Sequence, residues 1–239
     1  MPPALTLTDA DGPIGTYDRG ERDGRLSADL FTREPGVSAE RAARAVLDQL
    51  SGWRIAGDEA LGRALIAAGG RPLRHAHLMS NDMTARPRWR HPTGYRLTDV
   101  DRPAADLVDA YRAAFPPGHV DHRDEPPERS LAELDRLLVG SDFGPPLRGS
   151  GLAVAADGTV VGAILLGVLP GEPPLNGPWL IEVFRHPAHR GIGRALCERA
   201  LALVQAETLG LMVSEGNPAR RLYEDLGFRL VHTALVVQV

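Results

Sequence analysis

The chain has 239 residues, of which 43% are hydrophobic and 24% are charged, and this composition is typical of a globular protein with a sizeable core. The formal net charge of -4 argues against nucleic acid as the main partner, because contacts to phosphates require a basic surface. A single cysteine, Cys197, cannot form an internal disulfide bond, so we expect a cytoplasmic protein. The N-terminal residues lack the apolar run of a signal peptide, and the run at 160–169 is too short to span a bilayer, so we expect no membrane association.

Residues 1–80 contain a partial repeat of the C-terminal part of the chain. Two pairs of segments align, which are 54–79 with 212–237 and 28–36 with 181–189. The helix predicted over 38–50 then stands at the place of a helix predicted over 193–206. Self-similarity over this length indicates a repeat at the scale of a domain.

A polar segment separates this repeat from the rest of the chain. Residues 81–94 contain prolines and show no apolar periodicity, which is typical of a linker. We therefore expect an N-terminal domain over 1–80 and a second domain over 95–239.

In the second domain, strand and helix patterns alternate. The predicted strands are 94–97, the two arms of a hairpin over 151–169 with its turn at Asp157-Gly158, 179–184, 209–213 and 233–239. The predicted helices are 102–114, 130–139 with Ser130 and Glu133 as a capping box, 193–206, and 218–226 with Asn217 as N-cap. The resulting order, β-α-α-β-β-β-α-β-α-β, indicates a layered α/β or α+β fold.

A glycine-containing turn over 190–195 connects a predicted strand to a predicted helix. A helix N-terminus presents free backbone N–H groups and the positive end of the helix dipole, which together bind anions. Gly191 and Gly193 would let phosphate oxygens reach these amides, and Arg190 and Arg194 would add charge. The turn lacks the third glycine of a dinucleotide-binding fingerprint and the Gly-Lys-Ser/Thr of a P-loop. A plain strand-to-helix turn stays open as the alternative.

Two stretches of the chain resemble motifs of the GNAT family, the GCN5-related N-acetyltransferases. Residues 183–196, VFRHPAHRGIGRAL, resemble the loop that binds the pyrophosphate of acyl-CoA. The pattern of that loop is Gln/Arg-x-x-Gly-x-Gly/Ala, and Arg190, Gly193 and Ala195 fill it. Residues 217–228, NPARRLYEDLGF, resemble the downstream segment of the family that ends in Leu-Tyr-x-x-x-Gly-Phe.

The resemblance, which covers about residues 95–239, implies a mixed central sheet flanked by helices. It also implies acetyl-CoA as co-substrate and transfer of its acetyl group to a primary amine of a small molecule or peptide, by direct attack in a ternary complex. A catalytically silent, CoA-binding regulatory module stays open as the alternative, and so does a homodimer.

The resemblance further implies which residues would bind the cofactor. They are Val183, Phe184, Arg185, Arg190, Gly191, Ile192, Gly193, Arg194, Ala195, Asn217 and Arg220. In the family fold two neighbouring parallel strands splay apart, here 179–184 and 209–213, and the backbone of residues 183–185 would pair with the pantetheine arm. For Asn217, a role as helix cap alone is the alternative.

Two residues have catalytic roles by this resemblance. Tyr223 matches the family tyrosine that protonates the leaving CoA thiolate, and a core tyrosine is the alternative. Glu182 lies in the middle of a predicted strand, where an acidic residue would take a proton from the attacking amine. The alternative for Glu182 is a carboxylate satisfied at the exposed face of the strand.

The Pro-rich loop between the first two helices of this domain lies beside the acceptor pocket in the family. We therefore consider Phe115, His119 and Phe143 as candidates for the acceptor site. Acidic side chains in or beside the loop would suit a cationic amine, and these are Asp121, Asp124, Glu125 and Glu128.

No metal site is expected. The residues His119, Asp121, His122 and Asp124 crowd one loop without the periodicity of metal ligands. Cys197 is expected to be a small buried hydrophobic residue and not a nucleophile.

The N-terminal repeat has lost the features that the resemblance assigns to cofactor binding. No Arg-x-x-Gly-x-Gly/Ala loop precedes helix 38–50, Leu65 stands at the place of the tyrosine, and Glu59 stands at the place of the asparagine. We expect a degenerate half of the same fold with a structural role, and a second CoA site is the alternative.

Overall fold

The structure is a computed structural model that describes residues 4–22, 24–169 and 177–239. The chain forms two compact units, which are Met1–His77 with His232–Val239 (unit 1) and Leu78–Val231 (unit 2). In the structure, residues 232–239 belong to unit 1. From the sequence alone, we expect them in the second domain instead.

Unit 1 contains a mixed sheet and two helices. Its elements are β1 (Leu5–Asp9), β2 (Gly12–Arg22), β3 (Arg25–Arg33), α1 (Ala39–Gln49), β4 (Arg54–Asp58), α2 (Glu59–Ala67) and most of β5 (Arg71–Asn81). β2 pairs antiparallel with both β1 and β3, and β3 pairs parallel with β4. The side chains of Ser38 and Asp58 cap the two helices, at 3.2 Å from the amide of Arg41 and 2.9 Å from that of Leu61.

Unit 2 contains strands of mixed direction and four α-helices among its described residues. The strands are β6 (Tyr95–Thr98), β7 (Gly151–Ala155), β8 (Val160–Leu169), β9 (Gly177–Arg185), β10 (Leu209–Ser214) and the first residues of β11 (Arg229–Gln238). The helices are α3 (Val108–Ala114), α4 (Pro127–Val139), α5 (Ile192–Leu203) and α6 (Ala219–Asp225). Neighbouring strands from β6 to β9 are antiparallel, and β9 and β10 are parallel. The mixed sheet flanked by helices confirms the predicted fold class.

The two units share one order of elements, which confirms the predicted repeat. In unit 1 the order is β3, α1, β4, α2 and β5, and the corresponding order in the C-terminal part is β9, α5, β10, α6 and β11. The last strand, β11, contributes residues 234–238 to unit 1, where they pair antiparallel with β4.

The predicted capping box at Ser130 is wrong, because α4 begins three residues earlier, at Pro127. Proline is favoured in the first turn of a helix, since its missing N–H would have no partner there. Ser130 lies inside the helix, where its hydroxyl group donates to Glu125 at 3.0 Å and accepts from Arg112 at 3.1 Å.

The cores of the units consist of aliphatic and aromatic side chains between helices and sheet. In unit 2, one cluster lies under α5 and includes Leu196 and Leu211, and another lies under α3 and α4 and includes Leu107 and Leu134. Within the described ranges, no helix has the length and apolar character needed to cross a membrane.

Truncation of the buried Ile164 on β8 should destabilise the protein far more than truncation of the exposed Val168 on the same strand. Ile164 is fully buried, whereas Val168 is 45% exposed. We expect Ile164→Ala to lower the free energy of unfolding by about 2–5 kcal/mol and Val168→Ala by less than about 0.5 kcal/mol. Urea denaturation of both variants measures this difference, and equal losses would contradict the described packing of β8.

Candidate active site

The parallel strands β9 and β10 pair over a very short stretch. Their register contains only Gly210 with Trp179 and Leu211 with Leu180, although β9 continues to Arg185 and β10 to Ser214. On its other edge β9 pairs with β8 throughout, with a bulge at Ile181. A bulge bends and twists its strand locally. The result is an opening between β9 and β10, lined on one side by the backbone of residues 181–185.

The turn that follows β9 leaves the first amides of α5 without a side-chain cap from the described residues. Gly191 precedes α5 with φ +82°, a conformation that favours glycine. A Cβ atom added at Gly193 would meet nothing within 4 Å, so the first turn of α5 is open toward its surroundings. Among the described residues no side chain caps this helix, and its first amides keep the partial positive charge of a helix N-terminus.

The two arginines of the turn differ in their environment. Arg194 is engaged by Asp225, with 2.7 Å between guanidinium and carboxylate, and it has Glu198 at 3.9 Å. Arg190 is exposed, and in the part of the chain that the structure describes it makes no ion pair. Arg190 is therefore the cation that can respond to an anion at the turn.

Several predicted cofactor residues can contribute only their backbone. The ring of Phe184 is buried and packs 5.2 Å from that of Tyr111. Ile192 and Ala195 are buried in the core under α5, and Val183 lies on β9 beyond the last residue paired with β10. The side chain of Arg185 donates to the carbonyl groups of residues 186 and 187.

The downstream motif places its polar residues around the start of α6. The Oδ1 atom of Asn217 accepts a hydrogen bond from the amide of Ala219 at 2.8 Å, which is the capping role considered above. Arg220 forms ion pairs with Glu224 at 3.0 Å and Glu215 at 3.7 Å. Both side chains are thus engaged within the protein.

Asp121 connects the loop between α3 and α4 to the opening. Its carboxylate accepts hydrogen bonds from the hydroxyl group of Ser214 at 2.5 Å and from Nδ2 of Asn217 at 2.7 Å. Ser214 is the last residue of β10, and Asn217 precedes α6. Asp121 therefore holds the loop at the end of β10, where the strand has separated from β9.

Tyr223 lies on α6 with its side chain buried. Burial, followed by the charges of Cys197, Glu182 and Asp121, raises the pKa of its hydroxyl group well above its usual range. Within the described residues the hydroxyl group makes no hydrogen bond, and the ring packs 5.9 Å from that of Phe228. The phenol is therefore neutral at physiological pH and carries a proton that it can donate.

Glu182 is a titratable group on the opposite side of the opening, on β9. Burial of its carboxyl group and, to a smaller extent, the charge of Glu133 raise its pKa, the charge of Arg123 lowers it, and the resulting pKa is about 8. Its Oε1 atom accepts a hydrogen bond from the amide of Val183 at 3.0 Å. A carboxyl group with this pKa exists in both protonation states near neutral pH.

A small, open cavity lies beside α3 and the following loop. Its lining residues are Tyr111, Arg112, Phe115, Asp121, His122, Arg123, Glu125 and Ser130. The cavity thus includes the predicted Phe115, Asp121 and Glu125, whereas Phe143, Asp124 and Glu128 lie outside its lining. His119 packs its ring 5.2 Å from Phe115.

Sequence reasoning did not identify Tyr111 and Arg123 as residues of this site. Tyr111 belongs to the apolar face of a helix, where an aromatic residue carries no functional signal. Arg123 is one arginine of a polar loop, and only the fold brings it to Glu133, whose two oxygens lie 2.7 and 2.6 Å from its Nη1 atom.

The comparisons with known proteins agree with this fold. The model of the acetyltransferase (GNAT) family matches residues 105–228, which is more than half of the chain, and the chain therefore belongs to this family of acyltransferases. No curated protein matches the sequence.

Similar folds occur in solved structures of distant sequence. A GCN5-related N-acetyltransferase from Sphaerobacter thermophilus is 19% identical with a TM-score of 0.62, and the match covers 99% of this chain and 80% of that one. A tandem GNAT protein from the clavulanic acid biosynthesis pathway is 15% identical with a TM-score of 0.52, over 97% of this chain and 80% of that one. A GNAT-family acetyltransferase from Colwellia psychrerythraea is 10% identical with a TM-score of 0.52, over 98% and 84%. Because these sequence identities are all below 25%, the similarity to these structures shows the fold alone.

Removal of the Asp121 carboxylate should release the loop over 116–126. Charge-assisted hydrogen bonds contribute about 1.5–3 kcal/mol each, so we expect amide exchange in this loop to become roughly tenfold or more faster in Asp121→Ala. Ser214→Ala removes one of the two bonds and should have a smaller effect in the same peptides. Hydrogen exchange with mass spectrometry measures this, and Asp124→Ala, an exposed aspartate of the same loop, is the control. Equal exchange in all three variants would contradict the tether.

Proposed function

We propose that this protein is an acetyl-CoA-dependent N-acetyltransferase that acts on a primary amine of a small molecule or peptide. The observation that carries the proposal is the open, uncapped first turn of α5 at the end of a strand that has separated from its neighbour. An amide-rich ligand with a pyrophosphate at one end suits this combination, because it needs both an unpaired strand edge and an anion site.

The residues around the opening fit acetyl-CoA. The backbone amides of Ile192, Gly193 and Arg194 and the side chain of Arg190 would hold the pyrophosphate. The backbone of residues 183–185, which does not pair with β10, would pair with the amide groups of the pantetheine arm, which leads toward Tyr223 and Glu182. Acetyl-CoA supplies a thioester, whose carbonyl carbon is open to attack by an amine.

Glu182 and Tyr223 would each transfer one proton, Glu182 at the attacking amine and Tyr223 at the leaving sulfur atom. The amine nitrogen bonds to the acetyl carbonyl carbon, and the bond between that carbon and sulfur breaks. Glu182 accepts the proton that the amine loses, directly or through water, and the Tyr223 hydroxyl group donates a proton to the sulfur.

The pH dependence of the reaction follows from the raised pKa of Glu182. A general base works only when deprotonated, and the pKa of Glu182 is about 8. The rate should therefore be low below neutral pH and should rise through about pH 8.

A bulky side chain at Gly193 should abolish binding of CoA without harming the fold. Its Cβ position faces open space, so Gly193→Trp should melt like the wild type while its indole covers the first-turn amides. We expect the dissociation constant for CoA to rise roughly a hundredfold or more, measured by calorimetric titration. Val139→Trp is the control, because Val139 is 65% exposed at the end of α4.

The same titration tests whether unit 1 binds CoA. There the pairing of β3 with β4 continues to Phe31 and Gly57, and Arg33 lies 2.8 Å from Asp58 across the two strands. We expect one binding site per chain. Two sites, with one surviving in Gly193→Trp, would instead assign a second site to the N-terminal repeat.

Loss of the base should remove the rise of rate with pH. We expect Glu182→Gln to lower kcat/KM about a hundredfold or more and to flatten its profile near pH 8, and Tyr223→Phe to lower kcat about tenfold or more. The assay follows CoA release over a panel of cationic and neutral amines, with the exposed Glu207→Gln as control. One-site CoA binding without turnover of any amine would favour a silent CoA-binding module.

A further inference from the structure

We propose that Tyr95 and His189 are positioning residues for the anion-binding turn, and that their contact holds residues 190–193 in the conformation that receives a pyrophosphate. This inference rests on the function proposed above for that turn. Tyr95 lies outside both stretches that resemble family motifs, and His189 directly precedes the Arg-x-x-Gly-x-Gly/Ala pattern.

The contact joins two distant parts of unit 2. Tyr95 lies on β6, and its hydroxyl oxygen is 2.8 Å from Nδ1 of His189, which directly precedes Arg190. The two rings also pack edge to face, with centroids 5.5 Å apart and an angle of 85° between their planes. Tyr95 itself packs against the core under α5, so it is a fixed point of attachment.

The segment 187–191 has few other attachments. Its other described hydrogen bonds are local, from the amides of Ala188 and His189 to His186, from Arg185 to the carbonyl group of Pro187, and from the amide of Ala195 to the carbonyl group of Gly191. Among the described residues, the bond to Tyr95 is therefore the side-chain hydrogen bond that connects this segment with a distant part of the chain.

Residues 86–95 run alongside α5 from the C-terminal end of the helix to its N-terminal end. Arg86 donates to the carbonyl groups of Val204 and Ala206, at 2.5 and 3.0 Å, just after the last turn. The guanidinium group of Arg199, in the middle of the helix, lies 5.7 Å from the ring of Trp89. Tyr95 then reaches the turn before the first residue of α5.

This course gives the linker a role in shaping the turn. The turn contains Gly191 and Gly193, and glycine loses more conformational freedom on ordering than any other residue. Without the bond to Tyr95, an anion would have to order the segment as it binds, and that cost would reduce its affinity. With the bond in place, the segment is ordered before the anion arrives.

Calorimetric titration with CoA and with pantetheine tests the inference, since pantetheine has the arm but no pyrophosphate. The variants are Tyr95→Phe, which removes only the hydroxyl group, His189→Ala, and His189→Asn, whose side-chain amide can replace Nδ1. Tyr17→Phe is the matched control, because it removes a tyrosine hydroxyl group in unit 1.

We expect Tyr95→Phe and His189→Ala each to weaken CoA binding about tenfold, the typical effect of one hydrogen bond. The double variant should be little worse than either single variant, because both remove the same contact. His189→Asn should retain most of the affinity, and all variants should bind pantetheine like the wild type.

Three results would overturn the inference. Wild-type affinity for CoA in Tyr95→Phe and His189→Ala would show that the contact does not shape the turn. Parallel losses of CoA and pantetheine would show a general structural role. Failure of the wild type to bind CoA at all would remove the proposed function of the turn, and the inference with it.

Discussion

The early end of the pairing between β9 and β10 is the constraint on which the candidate site depends. A parallel pair that continued to the ends of both strands would satisfy the backbone of residues 181–185 and leave no edge for a ligand. Because the last paired residues are Leu180 and Leu211, the turn before α5 and the start of α6 lie at the two sides of one opening. The proposed catalytic roles of Tyr223 on α6 and Glu182 on β9 depend on this opening.

The repeat in unit 1 shows what the same order of elements does without that opening. β3 also contains a bulge, where Leu30 has φ +52°, but its pairing with β4 resumes beyond the bulge at Phe31 and Gly57. The ion pair between Arg33 and Asp58 then joins the ends of the two strands. The two copies thus share one order of elements and differ in the strand pairing beside the turn.

The sequence predicted those parts of the site that depend on local patterns. The glycine turn, the position of Tyr223 on a helix and the order of elements all follow from short-range signals. It could not reveal the tether of Asp121, whose partners Ser214 and Asn217 lie 93 and 96 residues away. The start of α4 was misplaced because a serine followed by a glutamate resembles a capping box, while the preceding prolines in fact begin the helix.

The environment of Glu182 explains why a strand can carry a buried carboxyl group. Its partial burial disfavours the charged form, and the pKa of the carboxyl group is raised to about 8. Arg123 would stabilise the charged form strongly if it were free, but Glu133 binds it through both oxygens. Because Glu133 binds Arg123, Glu182 can gain and lose a proton near neutral pH. A base for the proposed acetylation of an amine requires this property. A carboxyl group with an ordinary pKa would be a weaker base, so the destabilisation of its charge is part of what the proposed reaction needs.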